Sequence, residues 1–261
     1  MTAAPAIIHQ RSRGEIILRV GAGGLERMRE AGAAKVRFPQ GGSEAILINT
    51  GGGLAGGDEF ALDITAGPEA ALTITTQAAE RVYRTLGPAA SVKVALKIEA
   101  GARLKWLPQE SILFNGASLS RRIDADLGDG ATLLAVESVI LGRAAMGETI
   151  HQATLRDRWR IRRSGRLIFA DDLAFDGPPP ATPATLGHAG AMATVVLVSD
   201  ASEMLIDDVR ALIGESGSAS AWSGKLVARL VAKDGFGLRK VLVPVLSQLA
   251  GGESLPKVWS L

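Results

Sequence analysis

Apolar and polar residues alternate along most of the chain up to about residue 175, which is the pattern of half-buried β-strands. Three stretches share one plan, in which a strand is followed by a glycine-containing turn and a second strand. The second strands begin at Leu72, Leu104 and Leu133. Because one such pair of strands cannot bury its apolar face alone, their repetition predicts stacked or coiled β-layers.

The pattern changes after the three consecutive prolines at residues 178–180, since proline fits neither a helix interior nor a central strand. Residues 194–198 are rich in β-branched side chains and predict a strand. Apolar residues between 238 and 249 recur at helical spacing. Asp200 and Glu203 resemble a capping box, which predicts the start of a second helix.

Together these patterns predict a mainly β protein in two parts. We expect a body of stacked or coiled β-layers, that is, a β-helical body, over residues 1–180. We expect a smaller C-terminal α/β lobe, packed on that body, over residues 181–261.

The composition excludes several classes of protein. Hydrophobic residues make up 47% of the chain and charged residues 21%, which allows a sizeable packed core and excludes global disorder. The formal net charge of +2 is too small to indicate nucleic-acid binding. Cysteine is absent, which excludes thiolate metal sites and disulfides. Since neither a signal peptide nor a membrane-spanning run of roughly 18 apolar residues stands out, we expect a cytoplasmic protein.

A glycine-rich stretch raises the possibility of nucleotide binding. Gly51, Gly53 and Gly56 match the G-x-G-x-x-G pattern and follow an apolar strand. A dinucleotide site needs a helix directly after these glycines, because the pyrophosphate binds to the amides at its N-terminus. Phe60, Leu62 and Ile64 alternate instead, as in a strand. A dinucleotide-dependent oxidoreductase using this turn is therefore the alternative function, and a structural turn is the simpler interpretation.

Four arginines share one face of a predicted strand, with apolar residues on the other face. They are Arg156, Arg158, Arg160 and Arg162. One interpretation is a solvated face that protects a sheet edge. The other is an interface for an acidic partner. Nucleic acid is disfavoured, because aromatic residues, which stack on bases, make up only 4% of the chain.

Carboxylates supply the remaining candidate chemistry. Glu137 lies in a strand, residues 133–141, whose two faces are both apolar, so its side chain must be paired, protonated or in contact with water. A structurally paired glutamate and a water-filled internal passage are both consistent with this position. Asp58, Glu110 and Glu148, each beside a glycine- or proline-marked segment, are further candidates for the same role.

Read together, several stretches of the chain resemble the UreD (UreH) family of urease accessory proteins. They come in the order and spacing typical of the family, and the resemblance covers nearly the whole chain. The matching stretches are residues 49–58, 75–84, 106–114, 142–148 and 255–259.

The resemblance implies a maturation factor that is not an enzyme, with a β-helical body. It also implies binding to urease apoprotein and to the accessory protein UreF, which recruits the GTPase UreG, and transient passage of nickel with no tightly bound cofactor. Oxygen ligands hold Ni²⁺ more weakly than a Cys/His cage, which suits a conduit. We therefore hypothesise that Asp58, Glu110, Glu137 and Glu148 mark such a conduit. A plain β-solenoid scaffold without a metal role is the third possibility.

Overall fold

The computed structural model describes residues 11–39, 43–143, 146–182 and 184–260 of the chain. Most of these residues belong to strands, as the alternating sequence pattern predicts. In chain order the strands are β1 (Arg13–Gly21), β2 (Gly24–Gly32), β3 (Ala34–Arg37), β4 (Glu44–Asn49), β5 (Glu59–Ala66), β6 (Ala71–Thr76), β7 (Glu80–Val82), β8 (Ala90–Ile98), β9 (Arg103–Leu107), β10 (Ser111–Leu113), β11 (Ser118–Leu127), β12 (Thr132–Leu141), β13 (Ala153–Arg163), β14 (Arg166–Gly177), β15 (Ala191–Val198), β16 (Gly217–Trp222) and β17 (Lys225–Ala232).

The described helices lie in the C-terminal part of the chain. Helix α1 spans Ile206–Ile213 and helix α2 spans Gly235–Leu249. Short 3₁₀ helices lie at Ser202–Leu205, Gly214–Ser216 and Lys257–Trp259. None of the helices within the described ranges is long and apolar enough to cross a membrane.

The strands form two sheets between which the chain alternates. The seven-stranded sheet has the order β14-β13-β11-β8-β5-β1-β2, and the ten-stranded sheet contains the path β16-β17-β15-β12-β9-β6-β4-β3. From β4 to β13 each coil of the chain adds one strand to each sheet, and strands added to the same sheet run parallel. This confirms the mainly β, solenoid-like architecture predicted from the sequence.

The repeat seen in the sequence is the stacking unit of the fold. Leu72 on β6 is the register partner of Leu104 on β9, and Leu104 is the register partner of Leu133 on β12. All three side chains are buried. Equivalent positions of successive coils therefore lie next to each other and form one continuous core.

Two hydrophobic clusters lie on opposite faces of the ten-stranded sheet. The larger cluster fills the space between the two sheets. The smaller one lies between the ten-stranded sheet and the two α-helices, where Val209 of α1 and Leu242 of α2 are fully buried. Strand β15, beyond the proline stretch, pairs directly with β12 of the body. The division into parts at residue 180 stays a prediction.

The capping box predicted at Asp200 and Glu203 is wrong. The chain enters its first helical turn one residue later, with Ala201 at the N-cap position and without a side-chain cap. Asp200 is exposed and lies 3.9 Å from Arg163. The carboxylate of Glu203 instead accepts a hydrogen bond of 3.0 Å from the amide of Gly224. Glu203 therefore pairs with the turn between β16 and β17 rather than with the start of its own helix.

The four arginines on β13 do not protect a sheet edge, because β14 pairs with the outer side of that strand. Arg158 and Arg160 form ion pairs of 3.1 and 2.6 Å with Asp172 of β14. Arg162 lies 3.7 Å from Asp124 of β11. Neighbouring strands thus supply acidic partners that the local sequence does not show, and most of this face is ion-paired within the chain.

Candidate functional site

The sheet topology collects most of the candidate carboxylates at one end of the molecule. Strands β4, β6, β9 and β12 are parallel neighbours, so their carboxyl ends meet at the same edge of the sheet. Asp58, Glu110 and Glu148 lie in the segments that follow β4, β9 and β12. Glu137 lies within β12 itself. The structure therefore brings candidates that are distant in sequence to one end of the sandwich.

A cavity of about 340 Å³ runs from this end into the space between the sheets. Its lining includes Gly52 and Gln77, which are exposed, and Leu119 and Glu137, which are buried. Most of the lining is apolar. Its polar and charged side chains are Asn49, Thr76, Gln77, Glu80, Arg81, Gln109, Ser111, Arg121 and Glu137.

Glu137 is at the inner part of the cavity and is both paired and accessible to a molecule within it. Its Oε1 accepts a hydrogen bond of 2.8 Å from Nε1 of Trp106, and its Oε2 forms an ion pair with Nη1 of Arg121. Burial raises the pKa of Glu137, Arg121 opposes this shift, and the charge of Asp157 reinforces it. The sequence left a paired glutamate and an internal passage as alternatives. They are compatible, because Glu137 has partners and also lines the cavity.

Glu80 is a cavity residue that sequence reasoning did not single out. Asn49 Nδ2 donates to both of its carboxylate oxygens at 3.2 Å. Burial raises the pKa of Glu80 to about 7, while the hydrogen bonds from Asn49 and the charge of Arg81 oppose the shift. Its local sequence shows no strand alternation, and the three-residue pairing of β7 with β10, together with the hydrogen bonds from Asn49, places it against the cavity. The sole sequence signal is its position in the matched stretch 75–84.

Gln109 offers a free donor in the cavity wall. Its side-chain oxygen accepts a hydrogen bond from Nη2 of Arg239, which fixes the orientation of the amide. Its Nε2 is buried and has no hydrogen-bond partner among the described residues. A buried donor is costly to leave unpaired, so this amide is a strained polar group in a residue that lines the cavity.

Glu110, next in sequence, joins the cavity wall to the C-terminal helix. Arg239 of α2 holds both of its oxygens, with Nε to Oε1 at 2.5 Å and Nη2 to Oε2 at 3.1 Å. The guanidinium of Arg239 also lies 5.2 Å from the ring centre of Trp259. Glu110 is buried, so the wall segment is tied to α2 and to the C-terminal 3₁₀ helix.

Asp58 and Glu148 hold the surrounding segments in place. Asp58 is buried and accepts hydrogen bonds from the amides of Ser12 and Ala55 at 2.7 and 2.8 Å. Glu148 forms an ion pair of 2.9 Å with Arg143 and accepts a hydrogen bond of 3.2 Å from the amide of Asn115. The hydrogen bond from Arg143 lowers the pKa of Glu148.

The candidate carboxylates do not form a fixed metal centre among the described residues. Within the described ranges, no group of three or more Asp, Glu, His or Cys side chains is arranged to hold a metal ion. Glu80 and Glu137 offer hard oxygen donors that must lose a proton or exchange a partner before binding a cation. Of the described hydroxyl side chains that line the cavity, Thr76 donates to the carbonyl of Ala78 and Ser111 accepts a hydrogen bond from Arg121, so neither is paired with a general base.

Comparison with known proteins shows which family the chain resembles. A family model described as UreD urease accessory protein matches residues 12–260. A urease accessory protein UreD of Agrobacterium fabrum is 47% identical, over 96% of this chain and 91% of that protein. One from Rhizobium leguminosarum bv. viciae is 49% identical, over 91% of each chain. A protein named urease accessory protein UreD 1, from Brucella abortus, is 46% identical over 91% of this chain and 88% of its own length.

Proposed function

This chain belongs to the UreD family of urease accessory proteins, which are maturation factors rather than enzymes, and on that premise we propose that it helps to deliver nickel to the urease active site. In this proposal it works in the cytoplasm. It binds urease apoprotein and the accessory protein UreF, and meets UreG through UreF. The observation that carries the proposal is the cavity between the sheets, which extends from exposed residues to the buried carboxylate of Glu137.

The cavity has the chemistry of a passage for a hydrated divalent cation. Glu80 near its outer part and Glu137 further inside supply two oxygen-donor groups. Asn49 donates hydrogen bonds to Glu80, and Trp106 and Arg121 hold Glu137, so a Ni²⁺ ion competes with these partners at each carboxylate and is bound weakly. Since burial raises the pKa of Glu80 to about 7, a cation that binds there displaces a proton near neutral pH.

The four carboxylates predicted from the sequence, together with Glu80, mark this path in our proposal. Glu137 and Glu80 line the cavity directly. Asp58, Glu110 and Glu148 stand at the same end and would bind the ion only by exchanging their present partners. Their contacts also stabilise the segments that enclose the cavity.

Two other functions, an oxidoreductase and a scaffold without a metal role, fit the structure less well. The oxidoreductase alternative, built on residues 51–56, needs a helix after the glycines, and the structure has strand β5 there. A scaffold without a metal role is favoured by the stable partners of Asp58, Glu110 and Glu148. It is disfavoured by the cavity between the sheets, whose lining includes the carboxylates of Glu80 and Glu137.

Reconstitution tests the proposal directly. The cognate urease structural and accessory proteins are expressed with and without this chain, and nickel per urease and urea hydrolysis are measured. We expect soluble but nickel-poor, inactive urease only when the chain is missing. Full nickel occupancy without the chain would contradict the maturation role for this protein.

Substitutions separate the conduit from the scaffold. Alanine at Asp58, Glu110, Glu137 and Glu148 together is expected to abolish delivery, and the milder Glu80→Gln and Glu137→Gln variants to slow it. Glu59→Gln, at an exposed side chain outside the cavity, is the matched control. Partner binding is measured in parallel. If the Glu80→Gln, Glu137→Gln and fourfold-alanine variants fold and still deliver nickel normally, the conduit is wrong and the chain acts as a scaffold.

A further inference from the structure

Residues 251–260, here named the strap, follow α2 and cross the outer side of the cavity wall. Gly251 and Gly252 begin the strap with φ values of +72° and +77°, and a Cβ at either would have no described atom beyond its chain neighbours within 4 Å. Residues 251–254 are exposed, whereas Trp259 is buried. The strap therefore has a loosely packed two-glycine hinge at one end and an aromatic anchor at the other.

The anchor of the strap bonds to the backbone that leads into the cavity wall. Nε1 of Trp259 donates a hydrogen bond of 3.1 Å to the carbonyl of Leu107. The same carbonyl accepts one of 2.7 Å from Oγ1 of Thr75 on β6. Pro108 and Gln109, the next two residues, line the cavity. A hydrogen bond made on the outer side of the sheet therefore holds the start of the segment that forms the wall on the inner side.

Arg239 ties the strap to the same wall a second time. Its guanidinium holds the side chains of Glu110 and Gln109 and lies 5.2 Å from the ring centre of Trp259. Its Nη1 also donates a hydrogen bond of 3.4 Å to the carbonyl of Val258. Because the strap covers this guanidinium, release of the strap would bring water to its ion pair with Glu110, and solvent weakens such a pair.

The docked strap leaves one polar group of the wall unsatisfied. Nε2 of Gln109 is buried and has no hydrogen-bond partner among the described residues, while its Oε1 is held by Arg239. Hydration of this donor would recover free energy. The ion pair of Lys105 with Glu253 of the strap involves a glutamate side chain that is 64% exposed, and such surface pairs contribute little. The docked and released states are therefore closer in free energy than the burial of Trp259 alone indicates.

We propose that the strap is a releasable latch on the cavity wall. With Trp259 docked, residues 107–110 are held rigid. When the strap swings out about Gly251 and Gly252, Arg239 and the wall segment are freed, and the cavity between the sheets can widen. This inference rests on the proposed function, which it deepens by making passage of the cation depend on a movement of the C-terminal segment.

Hydrogen exchange measures whether the strap holds the wall, and it needs no partner protein. Trp259→Phe keeps an aromatic anchor and removes the donor to the carbonyl of Leu107. We expect amides in residues 107–111 to exchange roughly two- to tenfold faster, as the loss of one hydrogen bond implies. Trp222→Phe, at a tryptophan on β16 that is 44% exposed, is the matched control. Unchanged exchange in a folded Trp259→Phe variant would overturn the latch.

A cleavable cross-link tests whether the strap must move. The chain has no cysteine, so Lys105→Cys with Glu253→Cys, in place of the ion pair between β9 and the strap, gives a single pair of thiols. Joined by a bismaleimide that contains a disulfide, the pair should slow both exchange in residues 107–111 and nickel delivery in the reconstituted system. Reductant should restore both. Arg158→Cys with Asp172→Cys, at an exposed ion pair between β13 and β14, is the matched control.

The outcomes distinguish the latch from the proposed function. A locked chain that delivers nickel as fast as the reduced chain would overturn the latch and leave the maturation role intact. A wild-type chain that delivers no nickel would overturn the proposed function, and exchange in Trp259→Phe would still decide whether the strap holds the wall. If Trp259→Phe does not fold, equal exchange in the locked and reduced chains would overturn the latch.

Discussion

Arg121 on the seven-stranded sheet forms an ion pair with Glu137 on the ten-stranded sheet, and each side chain is only 4% exposed. Asp157, on the neighbouring strand β13, shares the same guanidinium, with Nε of Arg121 3.1 Å from Oδ1. One cation therefore balances two carboxylates in the interior. This shared pairing joins the two sheets beside the cavity and leaves Glu137 incompletely neutralised, in line with its raised pKa.

Removal of Arg121 is expected to destabilise the protein strongly. Arg121→Met leaves Glu137 and Asp157 buried without their cation, which costs about 3–5 kcal/mol in the free energy of unfolding. Arg122→Met is the control, because the neighbouring Arg122 is 52% exposed and pairs with Asp124 at the surface. It should cost less than about 1 kcal/mol. Denaturant titration measures both, and equal losses would contradict a special role for the buried cluster.

Glu80 makes stability depend on pH near neutrality. Its folded pKa is raised from 4.5 to about 7, so the folded state holds this proton more tightly than the unfolded state. Stability supplied by the protonated form is therefore present at pH 4.5 and is lost as pH rises towards 7. Glu80→Gln stays neutral, so its stability relative to wild type should rise by up to about 3 kcal/mol between pH 5 and 8.

Thermal melts at several pH values measure this difference for Glu80→Gln. Glu148→Gln is the control, because the hydrogen bond from Arg143 lowers the pKa of Glu148. Stability from that carboxylate is present above its unfolded pKa and is lost only in acid, so its difference from wild type should stay flat between pH 6 and 8. If the stability of Glu80→Gln relative to wild type also stayed constant with pH, the pKa of Glu80 would not be raised by burial as described.

Local pattern predicted most of the fold, because the period of two in half-buried strands is written into adjacent residues. The repeat that begins its second strands at Leu72, Leu104 and Leu133 also predicted how the coils stack, since these residues are register partners on neighbouring strands. The prediction of a capping box was wrong, because the chain begins a 3₁₀ helix at Ser202, which puts Ala201 rather than Asp200 at the N-cap position. Asp234 is the side chain that does cap a described helix, by accepting a hydrogen bond of 2.8 Å from the amide of Gly237.

The site was less predictable, since its contacts join residues far apart in the chain. Arg239 meets Glu110 across 129 positions of sequence, and no spacing rule connects them. Glu137 was identified because a lone carboxylate in an apolar strand is conspicuous by itself. Glu80 was missed because its burial is produced by the neighbouring coils rather than by its own segment.

The glycine-rich turn next to the cavity should tolerate substitution at one position and not at the next. Gly53 has φ +146°, and a Cβ there would lie 2.4 Å from the ring of Tyr83 and 2.8 Å from the carbonyl oxygen of Arg81. Gly52 has φ +72° and open space around it. We expect Gly53→Ala to displace the Tyr83 segment and to lower stability by more than Gly52→Ala, which costs about 1–2 kcal/mol from backbone strain alone.

Melting temperatures compare the two glycine variants, and nickel delivery is measured in the reconstituted system. Gly53→Ala should impair delivery more than Gly52→Ala, because a Cβ at Gly53 would displace the backbone of Arg81, which lines the cavity, whereas a Cβ at Gly52 meets nothing. Gly52→Asn is a useful third variant, since asparagine accepts a positive φ better than alanine does. Equal melting temperatures for Gly53→Ala and Gly52→Ala would contradict the close packing against Tyr83.

Replacement of Arg239 even by lysine is expected to lower the stability of the protein. Its planar guanidinium contacts both oxygens of Glu110 and the side-chain oxygen of Gln109 at once, and a lysine ammonium cannot reproduce this fork. Arg239→Lys therefore leaves part of a buried carboxylate unpaired, with an expected loss of about 1–3 kcal/mol. Arg210→Lys is the matched control, because Arg210 is 56% exposed and its Nε donates to one carbonyl oxygen. Denaturant titration should show a loss only for Arg239→Lys, and reduced nickel delivery by that variant would link the C-terminal helix to the cavity wall.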